Sequence, residues 1–175
     1  MLSSPFRLTL PFRRVEVRKA VRHWPRVRDK VGFLRRLLNE FAGGRMSLEG
    51  DLSKCDFPEN VVVGREALGD LQRNTVAPRQ DFVVLRLEPD TAEPILKQIL
   101  AAGLKRAILH SQIEHAGNLQ MGAYDNFHPD CIVTGHDVSA ALLTELQEAG
   151  ILRGFRAADV EHQESYTQSE DFRTL

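Results

Sequence analysis

Cysteine is scarce in this 175-residue chain, which contains only Cys55 and Cys131. Two cysteines cannot form the disulfide framework of a small secreted domain or a four-cysteine zinc site. Long apolar runs are also missing, because none approaches the roughly 20 residues that a membrane-spanning helix requires. The N-terminal region lacks the apolar core of about 7–15 residues that marks a secretory signal. We therefore expect a soluble cytoplasmic protein whose partner is not a membrane.

Motifs that bind phosphates, metals or acyl groups are absent as well. Neither the GxxxxGK phosphate loop nor the GxGxxG dinucleotide motif occurs. Gly43-Gly44 follows a predicted helix instead of opening one, which is the wrong geometry for an anion at a helix N-terminus. The chain also lacks GxSxG, CxxC and HExxH. We therefore predict no cofactor and no metal, and these absences leave open whether the protein is an enzyme.

Charge is plentiful and unevenly distributed. The chain has 23 Lys and Arg against 24 Asp and Glu, which gives a net charge of −1. Residues 1–46 hold twelve basic and three acidic residues and carry +9, whereas the rest of the chain carries −10. Such asymmetry is typical of a basic arm that contacts nucleic acid or an acidic protein. The competing interpretation is that the arm docks on the acidic part of its own chain.

Helical spacing accounts for much of the basic segment. Val17, Ala20, Val21 and Trp24 fall on one helical face, and Val27 to Phe41 form a second amphipathic stripe that ends at Gly43-Gly44. The basic faces of these helices present the residues that we expect to bind an anion. They are Arg14, Arg18, Lys19, Arg22 and Arg26.

The pattern divides the chain into four parts. Residues 1–46 form the basic strand and helical arm, and residues 47–80 an irregular connection with a short strand at 61–63 and a short helix at 65–72. Residues 81–158 are the core, and residues 159–175 a polar, acidic tail. The core alternates strands and helices in the order β-α-β-β-α-β.

An internal echo supports that order. Residues 102–108 resemble residues 149–155 at a shift of 47 residues, with an Ala-Gly pair ending each predicted helix. Two similar β-α-β halves predict an α+β fold of the ferredoxin-like type, an antiparallel sheet with two helices on one face, preceded by the basic helical segment. The RNA-recognition fold shares this topology but presents stacking aromatics, whereas here the polar face offers only Tyr124 and Phe82.

The central hairpin gathers polar side chains. Pairing Ile113 with Met121 and Ser111 with Ala123 puts the apolar side chains on one face. The other face then carries His110, Gln112, Glu114, Gln120, Tyr124 and Asn126. Alternating polar residues are also what a solvated sheet face requires, so this pattern has a purely structural interpretation.

If the protein is a small enzyme or a ligand-binding domain, the hairpin and the turn after it supply the site. A histidine that titrates near neutral pH can act as a general base beside acidic and phenolic groups. The candidate residues are His110, Glu114, Tyr124, Asp125 and His128.

The turn itself allows other interpretations. His128 and Cys131 have a zinc-compatible spacing and could also form a nucleophile and its base, but Asn, Asp and Pro at 125–130 favour a plain turn. The weakly charged hairpin face would also suit a homodimer. The principal prediction is a non-enzymatic binding or regulatory module with an anionic partner, either nucleic acid or an acidic protein.

Overall fold

The computed structural model describes residues 22–158, which form eight β-strands in one sheet and four α-helices. A single 3-10 turn, Pro129–Cys131, precedes the seventh strand. The strands are β1 His23–Val27, β2 Arg45–Gly50, β3 Val62–Gly64, β4 Asp81–Arg86, β5 Ile108–His115, β6 Asn118–Ala123, β7 Ile132–Thr134 and β8 Leu152–Ala157. The helices are α1 Lys30–Glu40, α2 Ala92–Ala102, α3 Leu104–Ala107 and α4 Ala140–Glu148.

The sheet order is β3-β4-β2-β5-β6-β7-β1-β8, and every neighbouring pair is antiparallel. β4 and β5, joined by α2 and α3, therefore run parallel to each other on either side of β2. β7 and β8, joined by α4, flank β1 in the same way. The sheet thus contains two split β-α-β units, and α1 connects the strands that occupy their gaps.

The prediction of a ferredoxin-like sandwich is wrong. In that fold the two β-α-β halves interlock, and each half supplies the strand that fills the other's gap. Here the gaps are filled by β1 and β2, which come from the segment predicted as a basic helical arm or border it. The result is a wider sheet with more strands and helices than the predicted sandwich.

β1 shows why the local pattern misled. The predicted helix over 17–24 lies largely outside the described residues, but His23 and Trp24 belong to β1. Pro25 also lies within this strand. β1 pairs with β7 only at His23 opposite Thr134, so Pro25 has one strand neighbour, β8. Proline is tolerated at such edge-like positions because no ladder hydrogen bond is lost on the open side.

Several local predictions are confirmed. The predicted second helix is α1, capped by the Asp29 carboxylate, which accepts the Gly32 N–H at 2.9 Å. Ser111 pairs with Ala123 and Ile113 with Met121, as the hydrophobic pattern required. The predicted short helix at 65–72 is wrong, because this stretch forms a turn with a single bridge between Leu68 and Leu71.

All the longer helices contribute to one core. The buried cluster unites Phe33 and Leu37 of α1 with Ile99 of α2, Leu143 of α4 and Ile113 on the sheet. The helices therefore cover the apolar sheet face and leave the polar face to other parts of the chain. Within residues 22–158, no helix is long and apolar enough to cross a membrane.

Candidate functional site

The polar face of the sheet is buried under a loop. We call residues 69–75 the covering segment. Its backbone N–H groups at Asn74 and Thr75 donate to the Glu49 carboxylate at 2.6 and 3.0 Å. Leu71 packs with Phe82 and Val84 in a small second cluster. The expectation of a solvated face therefore fails for Gln112 and Glu114, which are buried. Gln120 is buried as well, but its side-chain amide pairs with Asp137 and not with the covering segment.

His110 is held at both ring nitrogens. Nδ1 accepts the Asp125 backbone N–H at 3.3 Å, and Nε2 lies 3.1 Å from the Thr75 hydroxyl. An acceptor role for Nδ1 places the proton of the neutral ring on Nε2, which then donates to Thr75. Burial lowers the pKa of His110, and the negative charges of Glu49 and Asp125 oppose that shift. In this tautomer His110 has no free lone pair with which to act as a base on Thr75.

Tyr124 lies beside His110, with 5.7 Å between the ring centroids. Its hydroxyl accepts a hydrogen bond from the Gln112 amide at 3.2 Å, and burial raises the pKa of its phenol. The ring covers Gly122, where an added Cβ would lie 2.5 Å from the hydroxyl oxygen. Tyr124 is therefore closely packed within this layer.

Glu114 and His128 have partners of their own. Arg45 donates to Glu114 Oε1 at 2.9 Å, while Glu114 Oε2 is buried without a partner among the described residues. His128 accepts the Asp130 N–H at 3.3 Å at the start of the 3-10 turn. The structure thus brings together His110, Tyr124 and Asp125 but engages the other two candidates elsewhere.

The turn after β6 has an unusual backbone. Asp125, Asn126 and Phe127 have φ values of 50°, 57° and 59°, in the left-handed region. Phe127 is fully buried, and the Asn126 amide donates to the Lys105 carbonyl at 2.8 Å, so packing holds this conformation. Within residues 22–158, no group of three or more His, Cys, Asp or Glu side chains is arranged to hold a metal.

The five basic residues predicted to bind an anion fall into two groups. Arg14, Arg18 and Lys19 lie outside the described residues, whereas Arg22 and Arg26 are exposed at β1. Three arginines further along dock on the chain itself. The pairs are Arg35 with Glu93 at 2.6 Å, Arg36 with Glu40 and Glu145, and Arg45 with Glu114.

The structure also forms a site that the sequence did not predict. A cavity of about 670 Å³ opens where the β1–α1 turn, the loop after β2 and the α2–α3 junction meet. None of the hairpin candidates lines it. We call it the cationic cleft, after the five basic side chains in its wall. They are Arg28, Lys30, Lys54, Lys105 and Arg106.

The positive charge of the cleft is only partly offset by its own acids. Its two acids, Asp29 and Asp51, have local hydrogen bonds: Asp29 caps α1, and Asp51 accepts from the Ser53 hydroxyl at 2.6 Å. That bond, followed by the Ser53 backbone N–H, lowers the pKa of Asp51. None of the five basic residues forms an ion pair with another residue in the 22–158 range. The wall therefore carries a net charge of +3.

The pKa of Lys30 is affected by the positive charge of the cleft. Partial burial, and then the positive charge of Lys105, lower the pKa of the Lys30 ammonium. Residues 75 positions apart in the chain thus line the same cleft. No local motif could have indicated this site, because its charges come from separate segments that only the sheet topology assembles.

Comparison with protein-family models, with curated proteins and with solved structures gave no match. The fold therefore defines the class only as an α+β protein built on an eight-stranded antiparallel sheet.

Proposed function

We propose that this chain is a non-catalytic binding module that engages an anionic partner through its basic N-terminal region and the cationic cleft. The observation that carries the proposal is the cleft itself, where five basic side chains surround a cavity without ion-pair partners among residues 22–158. Positive charge gathered in a concave wall focuses the electric field and attracts anions.

The distribution of the basic residues supports the same function. Arg35, Arg36 and Arg45 are committed to acids of the same chain, so part of the N-terminal charge serves the fold. Arg28 and Lys30, on the turn between β1 and α1, instead face the cleft. Self-docking therefore accounts for one set of basic residues and leaves the other available to a ligand.

The polar layer supports a binding role over a catalytic one. Both ring nitrogens of His110 form hydrogen bonds within the fold. The covering segment lies over the neighbouring Glu49 and is hydrogen-bonded to it. A catalytic base needs a proton to abstract within hydrogen-bond reach and a route for substrate. The cavity, which would provide such a route, lies at the cleft and not at His110.

Retention on heparin–agarose tests the proposal, because heparin is a generic polyanion. The variant Lys30→Glu/Lys105→Glu reverses two charges of the cleft. The matched control Lys97→Glu/Arg153→Glu changes the net charge equally at exposed positions outside it. We expect the cleft variant to elute at clearly lower salt than the control, since anion binding weakens with each lost contact. Equal elution of the two variants, both folded by circular dichroism, contradicts the proposal.

A further inference from the structure

We infer that the cationic cleft binds a small ligand carrying at least two phosphoryl groups, an inference that rests on the anion-binding function proposed above. The cavity volume of about 670 Å³ falls within the range of about 300–1,000 Å³ that is usual for small-molecule sites. A surface that only tracks a long polyanion needs no such concavity.

The charge of the wall matches such a ligand. A phosphoryl group carries about −1.5 to −2 near neutral pH, so two of them balance a net +3. The basic groups come from separate segments of the wall, with Arg28 and Lys30 at the start of α1 and Lys105 and Arg106 in α3. Arginine offers a planar fork of donors to phosphate oxygens, and lysine a compact point charge.

Lys30 and Lys105 are two lysines of the wall whose charges interact. Partial burial is the larger cause of the lowered pKa of Lys30, and the positive charge of Lys105 is the second. An anion bound near both lysines would be attracted to each ammonium group. It would also reduce the repulsion between the two positive charges, which favours binding further.

The remaining lining argues against a nucleic-acid strand. The described wall includes no aromatic side chain, whereas single-stranded nucleic acids are held by bases stacked on aromatic rings. Its uncharged part is instead aliphatic, with Val31, Ala101, Ala102 and Leu104. This surface suits the carbon skeleton of a compact phosphorylated molecule.

Calorimetric titration of the full chain tests the inference with four probes at equal ionic strength: inorganic pyrophosphate, inorganic phosphate, sulfate and a single-stranded oligodeoxythymidine. We expect pyrophosphate to bind at least about tenfold more tightly than phosphate or sulfate. Lys30→Ala/Lys105→Ala should weaken pyrophosphate binding by about tenfold or more, because two charged donors to the phosphoryl oxygens are lost. The matched control Lys97→Ala/Arg153→Ala should stay within about twofold of the unmodified chain.

The outcomes separate the two proposals. Pyrophosphate that binds no better than phosphate, or equally well to the cleft variant, overturns the inference even if heparin retention still depends on the cleft. Tight binding of the oligonucleotide with no pyrophosphate binding also overturns it, while leaving the anion-binding function intact. If the unmodified chain is neither retained on heparin nor binds pyrophosphate, both proposals are wrong.

Discussion

Removing the Glu49 side chain should release the covering segment from the sheet. Glu49 is only 1% exposed, and its carboxylate accepts the N–H groups of Asn74 and Thr75. Hydrogen bonds to a charged group contribute about 1.5–3 kcal/mol each, so the pair accounts for about 3–6 kcal/mol. Water can reach the freed N–H groups once the segment lifts, so we expect the lower end, about 3 kcal/mol of unfolding free energy, for Glu49→Ala.

Two variants frame this prediction. Glu49→Gln keeps one acceptor oxygen but turns an NH₂ group towards the other N–H, so its loss should be intermediate, about 1–2 kcal/mol. Glu59→Ala removes an exposed glutamate that has no hydrogen bond with another described residue, and it should change stability by less than about 0.5 kcal/mol.

Urea denaturation measures the stability loss, and amide hydrogen exchange locates it. In Glu49→Ala the N–H groups of Asn74 and Thr75 should exchange faster. The N–H groups of β5 and β6 should exchange faster only to the extent that the free energy of global unfolding falls. A loss below about 1 kcal/mol, with unchanged exchange at these two amides, would refute the reasoning that the buried carboxylate holds the segment.

Two further predictions concern the same layer. Burial lowers the pKa of His110 below its ordinary value of about 6.5, so the unfolded chain binds more protons and the free energy of unfolding should fall as the pH drops from about 7 to 5. Urea denaturation at several pH values should show a smaller pH dependence of stability for His110→Gln, and an unchanged pH dependence would contradict this prediction. Gly122→Ala places a methyl group against Tyr124 and should destabilise by about 1–3 kcal/mol. In a Tyr124→Ala background, Gly122→Ala should have little further effect on the thermal unfolding temperature. If the destabilisations of the two single variants simply add in the double variant, the contact between these residues is not the cause.

Local features of the fold were predictable because they depend on neighbouring residues. The β5–β6 register follows from burying Ile113 against Met121, since a one-residue slip would turn both towards the polar face. Ser139 is of a residue type that commonly caps helices, and its side chain accepts the Leu142 N–H at 3.1 Å at the start of α4. Gly103 and Gly150 end α2 and α4 with positive φ values of 95° and 74°.

Long-range features were not predictable in this way. Which strand fills the gap of a split β-α-β unit depends on pairing between residues far apart, such as Val27 with Leu152. The repeat at a shift of 47 residues marked both units but could not show that β1 and β2 enter them. The covering segment has no periodicity, because it is held by backbone N–H groups that any residue supplies.

The candidate site had the same limitation. The sequence placed His110 beside Tyr124, since both follow from the hairpin register. It could not show that a loop closes over them, nor that Lys30 and Lys105 meet. The cleft depends on the meeting of the β1–α1 turn with the α2–α3 junction, which is a property of the assembled sheet.

The route of the chain through β1, α1 and β2 ties the positive charge to the integrity of the sheet. β1 and β2 fill the gaps of different β-α-β units, so residues 23–50 link these two units covalently and through strand pairing. A chain beginning after Gly50 would leave both units open at their centre, with two gaps flanked by unpaired strand edges. Residues 22–46, the part of the basic segment that the structure describes, therefore cannot be removed without opening the sheet, and a partner that recognises Arg28 and Lys30 contacts the assembled fold.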